Sequence, residues 1–512
     1  MKRARAALLA ALLLSGAGPA VAAGRPVVFT LAIGYNGAPP ARDAGEAAPP
    51  ALRFADDDAA AFYQFGRSIG RGAYLLALLD ADTQRRFPGL AAEARAPSLE
   101  QLHRTIAELN AQAAAVERAG DQPVVILSYS GHGVLDERGR GALTFLDGRL
   151  DQAMLYERVL AALHVRYVHL LIDACHAEAV VRPRDAQAQM VKLSGQELAG
   201  YVSAATLDRF PHVGAIVAST ANTEAHEWEV YRGGVFTHEV LSGLRGAADV
   251  NGDSLLEYSE LAAFLSAANG AVTDPRARLD TVVRPPALNP RTPIVELRGV
   301  AGLARLHGEP AALGGIFIED GRGVRLIDLR AEPGFGVTLV LPPGQDLFLR
   351  AADREAELRL PGSGRVNLER LTWRRLPVGK RGAIDESLRR GLFGTRFGRA
   401  YYQGFVDRDR DLVAVDLATP EIAVSAAPAP APARGRSAAR WTLIGAGGLA
   451  AGAAVAGGVA LDARGDFDRT NLQRASVSAR DRYERAGTAA AGLAITAAIS
   501  AAVGLWLWTR EP

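Results

Sequence analysis

Cysteine occurs once in this 512-residue chain, as Cys175. It follows an apolar run, Tyr167-Val168-His169-Leu170-Leu171-Ile172, and closes the polar outcrop Asp173-Ala174-Cys175-His176. A lone thiol cannot form an intrachain disulfide, so it is either buried and inert or a reactive group. As a nucleophile it needs a base or cation nearby to populate its thiolate. A second outcrop, Ser128-Tyr129-Ser130-Gly131-His132-Gly133, ends the preceding apolar run. The imidazole of His132 can take the thiol proton and return it to a leaving amine. Gly131 and Gly133 let the backbone come close to a substrate, and the N–H groups of Gly133 and Cys175 could together form an oxyanion hole. His169 falls mid-run and reads as structural, and His176 is too close in the chain to turn back onto Cys175. Two other readings stay open. One is inert packing of the cysteine. The other is a metal site of Cys175 with His132 or His176, for which no further ligand spacing is evident.

Such residues need a scaffold that brings two strand ends together. Residues 27–33 are a continuous apolar run bounded by Gly34, as for a strand buried on both faces. Further strands are expected at 74–79, 124–127, 168–172 and 213–218. Helices are expected at 56–68, at 154–163, and after a capping-box start at Ser98 with Leu102, Ile106, Leu109 and Val116 on one face. The alternation predicts an open, mainly parallel α/β sheet flanked by helices over residues 26–298. Ligands bind beyond the carboxyl ends of such strands, where both outcrops fall. A proline-dense stretch at 285–293 marks a boundary. Residues 299–420, short apolar segments separated by Gly and Pro, predict a small all-β module, with 391–394 and 397–405 as turn-rich packing.

The pairing of Ser130-Gly131-His132-Gly133 with Asp173-Ala174-Cys175-His176-Ala177 resembles the caspase/metacaspase family of cysteine peptidases, most closely its bacterial caspase-like members. Leu52-Arg53-Phe54-Ala55-Asp56-Asp57-Asp58-Ala59 and the segment from Gly234 to Gly246 fit as well. The resemblance covers about residues 26–298. It implies a caspase-like fold, a catalytic dyad of His132 and Cys175, and a protein or peptide substrate. It also implies that Asp58, Ser130 and Asp173 line a pocket for Arg or Lys. Ala174, Ala177 and Glu178 depart from the usual Ser and Gly around the nucleophile. For Asp56, Asp57 and Asp58 the alternative is helix N-capping. The expected function is a membrane-tethered cysteine endopeptidase cleaving after Arg or Lys. The alternative is a catalytically silent caspase-like scaffold used for binding or signalling.

Asp249-Val250-Asn251-Gly252-Asp253-Ser254-Leu255-Leu256-Glu257-Tyr258-Ser259-Glu260 has the oxygen-ligand spacing of an EF-hand-type loop. The ligands would be Asp249, Asn251, Asp253, the Leu255 carbonyl, Glu257 and Glu260. Ser254 stands where glycine normally makes the turn. Ca2+ is thus a possible ligand, though the peptidase chemistry needs no cofactor. The alternative is an acidic turn capping a helix that starts near Tyr258.

Residues 1–22 have a basic start, an apolar stretch and small residues at Ala20-Val21-Ala22, the pattern of a secretory signal peptide. Residues 421–440 read as a Pro/Ala linker. Residues 441–461 and 486–508 are uncharged and long enough to cross ~30 Å of hydrocarbon. The arginine-rich segment 462–485 between them should be cytoplasmic. Together these predict export, with the peptidase domain in the periplasm and a hairpin in the bacterial inner membrane. Net charge is +2, with 22% charged residues, which gives no basic field for nucleic acid.

Overall fold

The computed structural model describes residues 24–38, 50–135, 141–174, 207–219, 227–273, 278–298, 300, 304–342, 345–351, 354–358, 365–375, 391–409 and 411–417. Cys175, the expected signal peptide, the expected linker and both candidate membrane segments lie outside these residues. Among the described residues, no helix is long and apolar enough to cross a membrane.

The first part of the chain runs β1 (Pro26–Tyr35), α1 (Ala55–Ile69), β2 (Gly72–Ala77), α2 (Ala81–Arg86), β3 (Ala94–Arg95), α3 (Leu99–Arg118) and β4 (Gln122–Gly131). A three-stranded antiparallel flap follows, β5 (Gly133–Leu135), β6 (Gly141–Phe145) and β7 (Gly148–Asp151). Then come β8 (Tyr167–Asp173), β9 (Val213–Ser219), the short pair β10 (Glu227–Trp228) and β11 (Gly233–Gly234), and α4 (Val235–Ser242). The part closes with β12 (Leu255–Leu256), α5 (Tyr258–Asn269), β13 (Asp280–Arg284) and β14 (Val295–Glu296).

Seven strands form one sheet in the order β13-β9-β8-β4-β1-β2-β3, all parallel except the β13–β9 pair. Alternate residues of the central strands serve opposite faces. Ala32, Ile126, Leu171 and Ile216 pack toward α1, α4 and α5. Leu31, Val125, Leu170 and Val217 pack toward α3 and the segment 155–160. Both faces are dry, which is why these strands read as unbroken apolar runs.

Local details differ from the sequence-based expectations. The second strand stops at Ala77, and Leu78 is 52% exposed. The helix expected at 154–163 is a short turn at Gln152–Met154 that widens into a π-type segment, Leu155–Leu160, started by the Asp151 carboxylate accepting from Met154 N–H. Ser98 Oγ accepts from Gln101 N–H at 3.1 Å, but the Gln101 side chain turns to Thr105 instead of closing the box.

Among the described residues the β-rich part holds eight strands: β15 (Ala304–Gly308), β16 (Gly315–Asp320), β17 (Arg325–Arg330), β18 (Val337–Leu341), β19 (Leu347–Ala351), β20 (Arg354–Leu358), β21 (Arg365–Asn367) and β22 (Arg374–Arg375). They form a β18-β15-β21 sheet and a β17-β16-β19-β20-β22 sheet. The segment expected to be turn-rich packing at 397–405 contains a helix, α6 (Arg399–Val406). Its tyrosines explain the helix: Tyr402 and Tyr401 share hydrogen bonds of 3.0 Å with Ser259 and Ser266 on α5. One continuous apolar core joins Leu261 and Phe264 of α5 to Leu306, Ile327, Leu339 and Phe397. The β part therefore folds onto the sheet's helical face.

Candidate active site

The register of the central sheet sets the site. β4 and β8 are parallel neighbours with Ser130 opposite Asp173. His132 stands two residues beyond Ser130 and Cys175 two residues beyond Asp173. From β1 the chain adds β2 and β3 on one side and then crosses back through α3 to place β4 on the other, and ligands of an open sheet bind in the crevice at such carboxyl ends.

His132 is buried, and its backbone is held tightly. Its carbonyl accepts from the Tyr129 hydroxyl at 3.1 Å and from Thr144 N–H at 3.0 Å. Gly131 is required at this approach, because a Cβ there would lie 2.6 Å from the Tyr129 hydroxyl oxygen. The ring Nε2 lies 3.0 Å from the Pro50 carbonyl oxygen. A carbonyl only accepts, so Nε2 carries the proton and Nδ1 is left as the base. Burial lowers the pKa of His132, which the Pro50 carbonyl partly opposes. A neutral imidazole with a fixed tautomer is what proton abstraction from a thiol requires. Gly133 opens β5 opposite Leu143.

The three consecutive aspartates at the start of α1 are all buried, and the residue preceding the helix, Phe54, makes no side-chain cap. N-capping therefore does not account for them; each has its own partner. Asp56 accepts from Asn36 Nδ2 at 2.7 Å and from Asp80 N–H at 2.9 Å. Asp57 pairs with Arg86 at 2.5 Å, and the same guanidinium donates to the Arg232 carbonyl at 2.9 Å. Asp58 accepts from Ser130 Oγ at 2.8 Å and from Gly234 N–H at 2.9 Å. The helix start is instead satisfied from afar. Asn36 accepts from Ala55 N–H at 2.8 Å, and Glu227 accepts from Phe54 N–H at 2.7 Å.

Asp173 reaches the same spot from β8. It accepts from Thr237 N–H at 3.1 Å and Thr237 Oγ1 at 2.8 Å. A Cβ placed on Gly234 would meet Asp173 Oδ2 at 2.3 Å and Asp58 Oδ2 at 2.8 Å. The two carboxylates thus converge on one glycine. Among the described residues neither has a basic partner within ion-pair distance. Burial, and then the charge of Asp173, pushes the Asp58 carboxyl well above the usual range. Burial pushes Asp173 up to about 6, against the Thr237 donors and with a further push from Glu227.

The structure brings Asp58, Ser130 and Asp173 together. Pro50, Asn36, Arg86, Glu227 and Thr237 were not singled out from the sequence. Their roles depend on partners 19 to 174 residues away, with no local pattern to mark them.

The acidic loop at 249–260 lies apart from this cluster. Asp249 Oδ1 accepts from Gly252 and Asp253 N–H, and Oδ2 from Ser254 N–H. Ser254 adopts φ of +61°, the left-handed conformation that a glycine would take more cheaply. Glu260 accepts from Val250 and Glu257 N–H, and Arg291 forks Glu257. Asn251 and Asp253 close turns within the loop. Leu255 pairs with Glu296 across β12 and β14. The side-chain oxygens accept from the loop's own N–H groups and from one guanidinium. Among the described residues no group of three or more His, Cys, Asp or Glu side chains is arranged to hold a metal ion.

Residues 50–278 match the family model of the caspase domain. The chain carries a caspase domain, and this implies a caspase-like cysteine peptidase acting on a protein substrate. β1 precedes the matched segment and yet is a central strand of the sheet, between β2 and β4. A comparison with curated proteins gives no match.

Proposed function

We propose that the protein is a cysteine endopeptidase in which Cys175 attacks the scissile carbonyl, His132 Nδ1 takes the thiol proton, and cleavage follows Arg or Lys. The Gly133 and Cys175 N–H groups would stabilise the oxyanion. The observation that carries the specificity is the Asp58–Asp173 pair: a buried and a half-buried carboxylate converging on one glycine, with hydrogen-bond donors but, among the described residues, no cation. Buried charges demand a partner, and a guanidinium or ammonium from the substrate supplies it. An aspartate side chain there would be repelled. By the same reading the enzyme is exported and tethered through the hairpin at 441–508, which would set the peptidase against periplasmic substrates.

A peptide panel differing only before the scissile bond tests the specificity. Arg and Lys peptides should be cleaved, and Asp and Leu peptides should not. Asp173→Asn should lower kcat/KM for the Arg peptide by roughly 10- to 100-fold, the worth of a charged hydrogen bond. A preference for Asp, or unchanged Arg cleavage in Asp173→Asn, would overturn the pocket.

A further inference from the structure

Two buried arginines, Arg86 and Arg245, and the half-buried Arg325 lie near the seam between the helical layer and the β-rich part. Arg86 is paired with Asp57, and Arg325 is paired with Asp328. Arg245, in the π-type turn Gly243–Ala247 that follows α4, is only 6% exposed and has no carboxylate in ion-pair range among the described residues. Its guanidinium makes one long hydrogen bond, Nη1 to the Leu241 carbonyl at 3.5 Å, and lies over the Phe65 ring at 5.1 Å. Burial lowers its pKa to about 10, so the charge persists at neutral pH. A buried charge with no partner costs several kcal/mol. Its retention points to a counter-charge supplied from outside the described residues.

Arg245 lines a cavity of about 360 Å3 between α1, the turn at Pro88–Leu90 and the β-rich part. That volume falls within the range of small-ligand sites. Phe65, Leu90, Val324, Leu326 and Val340 form its apolar wall, beside the polar Gln64, Ser68 and Gln345. The other charged groups at its edge are already paired, Arg67 with Glu93 at 2.8 Å and Asp320 with Arg322 at 3.0 Å. The net demand is for one negative charge. Asp58, Ser130, Asp173 and His132 do not line this cavity, but Arg245 also borders the adjoining crevice that Asp57, Asp58 and Thr237 line.

We propose that this groove binds a carboxylate carried on an apolar body, with the guanidinium of Arg245 gripping the carboxylate. A monoanion matches the one cation of this cavity that lacks an ion pair among the described residues, and the planar fork of arginine matches the two oxygens of a carboxylate. A free organic acid and the carboxyl terminus of a peptide share this chemistry.

Calorimetry and thermal unfolding on the full chain would separate them. One arm compares 4-phenylbutyrate with 4-phenylbutyramide. The other compares a peptide ending in Phe-Leu with a free carboxylate against its amide. At least one acid should bind and raise Tm, and its amide should not. Binding in one arm alone identifies the source; binding in both supports the shared chemistry. Arg245→Gln should weaken acid binding more than tenfold while leaving the unliganded protein at least as stable. Arg245→Lys keeps the charge without the fork and should bind several-fold more weakly, which keeps the test open if the Gln variant fails to fold. Acid and amide binding alike, no binding in either arm, or wild-type affinity in these variants would overturn the proposal.

Discussion

Asp173 carries an electrostatic cost that its neighbours only partly offset. Thr237 supplies two donors, yet burial holds the carboxyl at about 6 in the folded chain, above the ordinary carboxylate range. A carboxyl that binds its proton more tightly when folded contributes stability below its unfolded pKa, and this is lost as pH rises through about 6. Above pH 6 the ionised Asp173 therefore works against the fold. Asparagine keeps an acceptor for Thr237 without the charge. Asp173→Asn should be more stable than wild type at pH 8, by on the order of 1–3 kcal/mol, with the difference shrinking toward pH 4. Thermal unfolding across that range measures it; a variant less stable at pH 8 would show that the carboxylate supports the fold. Stability given up at a pocket of this kind is the expected trade of a functional site. At this scale the sequence was legible in part. Asp58, Ser130 and Asp173 could be grouped through resemblance. The sequence could not distinguish the roles of Asp56, Asp57 and Asp58, since identical neighbours on one helix turn meet Asn36, Arg86 and Ser130 respectively.

Among the elements, α4 ties the pocket to the rest of the molecule. Gly234 at its start donates to Asp58, and Thr237 donates to Asp173. One residue on, His238 Nε2 meets Asp328 of β17 at 2.7 Å, and Ser242 Oγ accepts from Asp328 N–H. The helical path then breaks at Gly246, with φ of +106°. A Cβ there would lie 2.3 Å from the Thr338 carbonyl oxygen of β18. Gly246→Ala meets both the unfavourable φ and the clash, and should destabilise the chain by more than about 1 kcal/mol. Urea unfolding would register this as a lower midpoint with unchanged slope; an unchanged midpoint would mean that the backbone relaxes freely. The central strands were legible because both faces are buried, so unbroken apolar runs suffice to mark them. α6 was not, because Gly398 and Gly404 around two tyrosines read as turns. What makes the segment helical is the pair of hydroxyl contacts on α5, 135 and 143 residues away.

For the whole molecule, the caspase domain and the β-rich part share one core, and the acid pocket is braced through α4 by that shared packing. Among the described residues, the structure beyond 298 changes from mixed α/β to mainly antiparallel β with one helix, α6. Composition could not show that the two layers bury each other's apolar faces, because burial across such a seam leaves no local signal. The central claim is that Cys175, presented beside a pocket for a cationic side chain, performs the chemistry. Its most direct test is to treat the full chain with a peptidyl-arginine chloromethyl ketone and locate the adduct by peptide mass mapping. The account predicts stoichiometric modification of Cys175, lost in His132→Ala and strongly slowed in Asp58→Asn and Asp173→Asn. Modification elsewhere, or labelling of Cys175 that proceeds equally well with an aspartyl reagent, would contradict it.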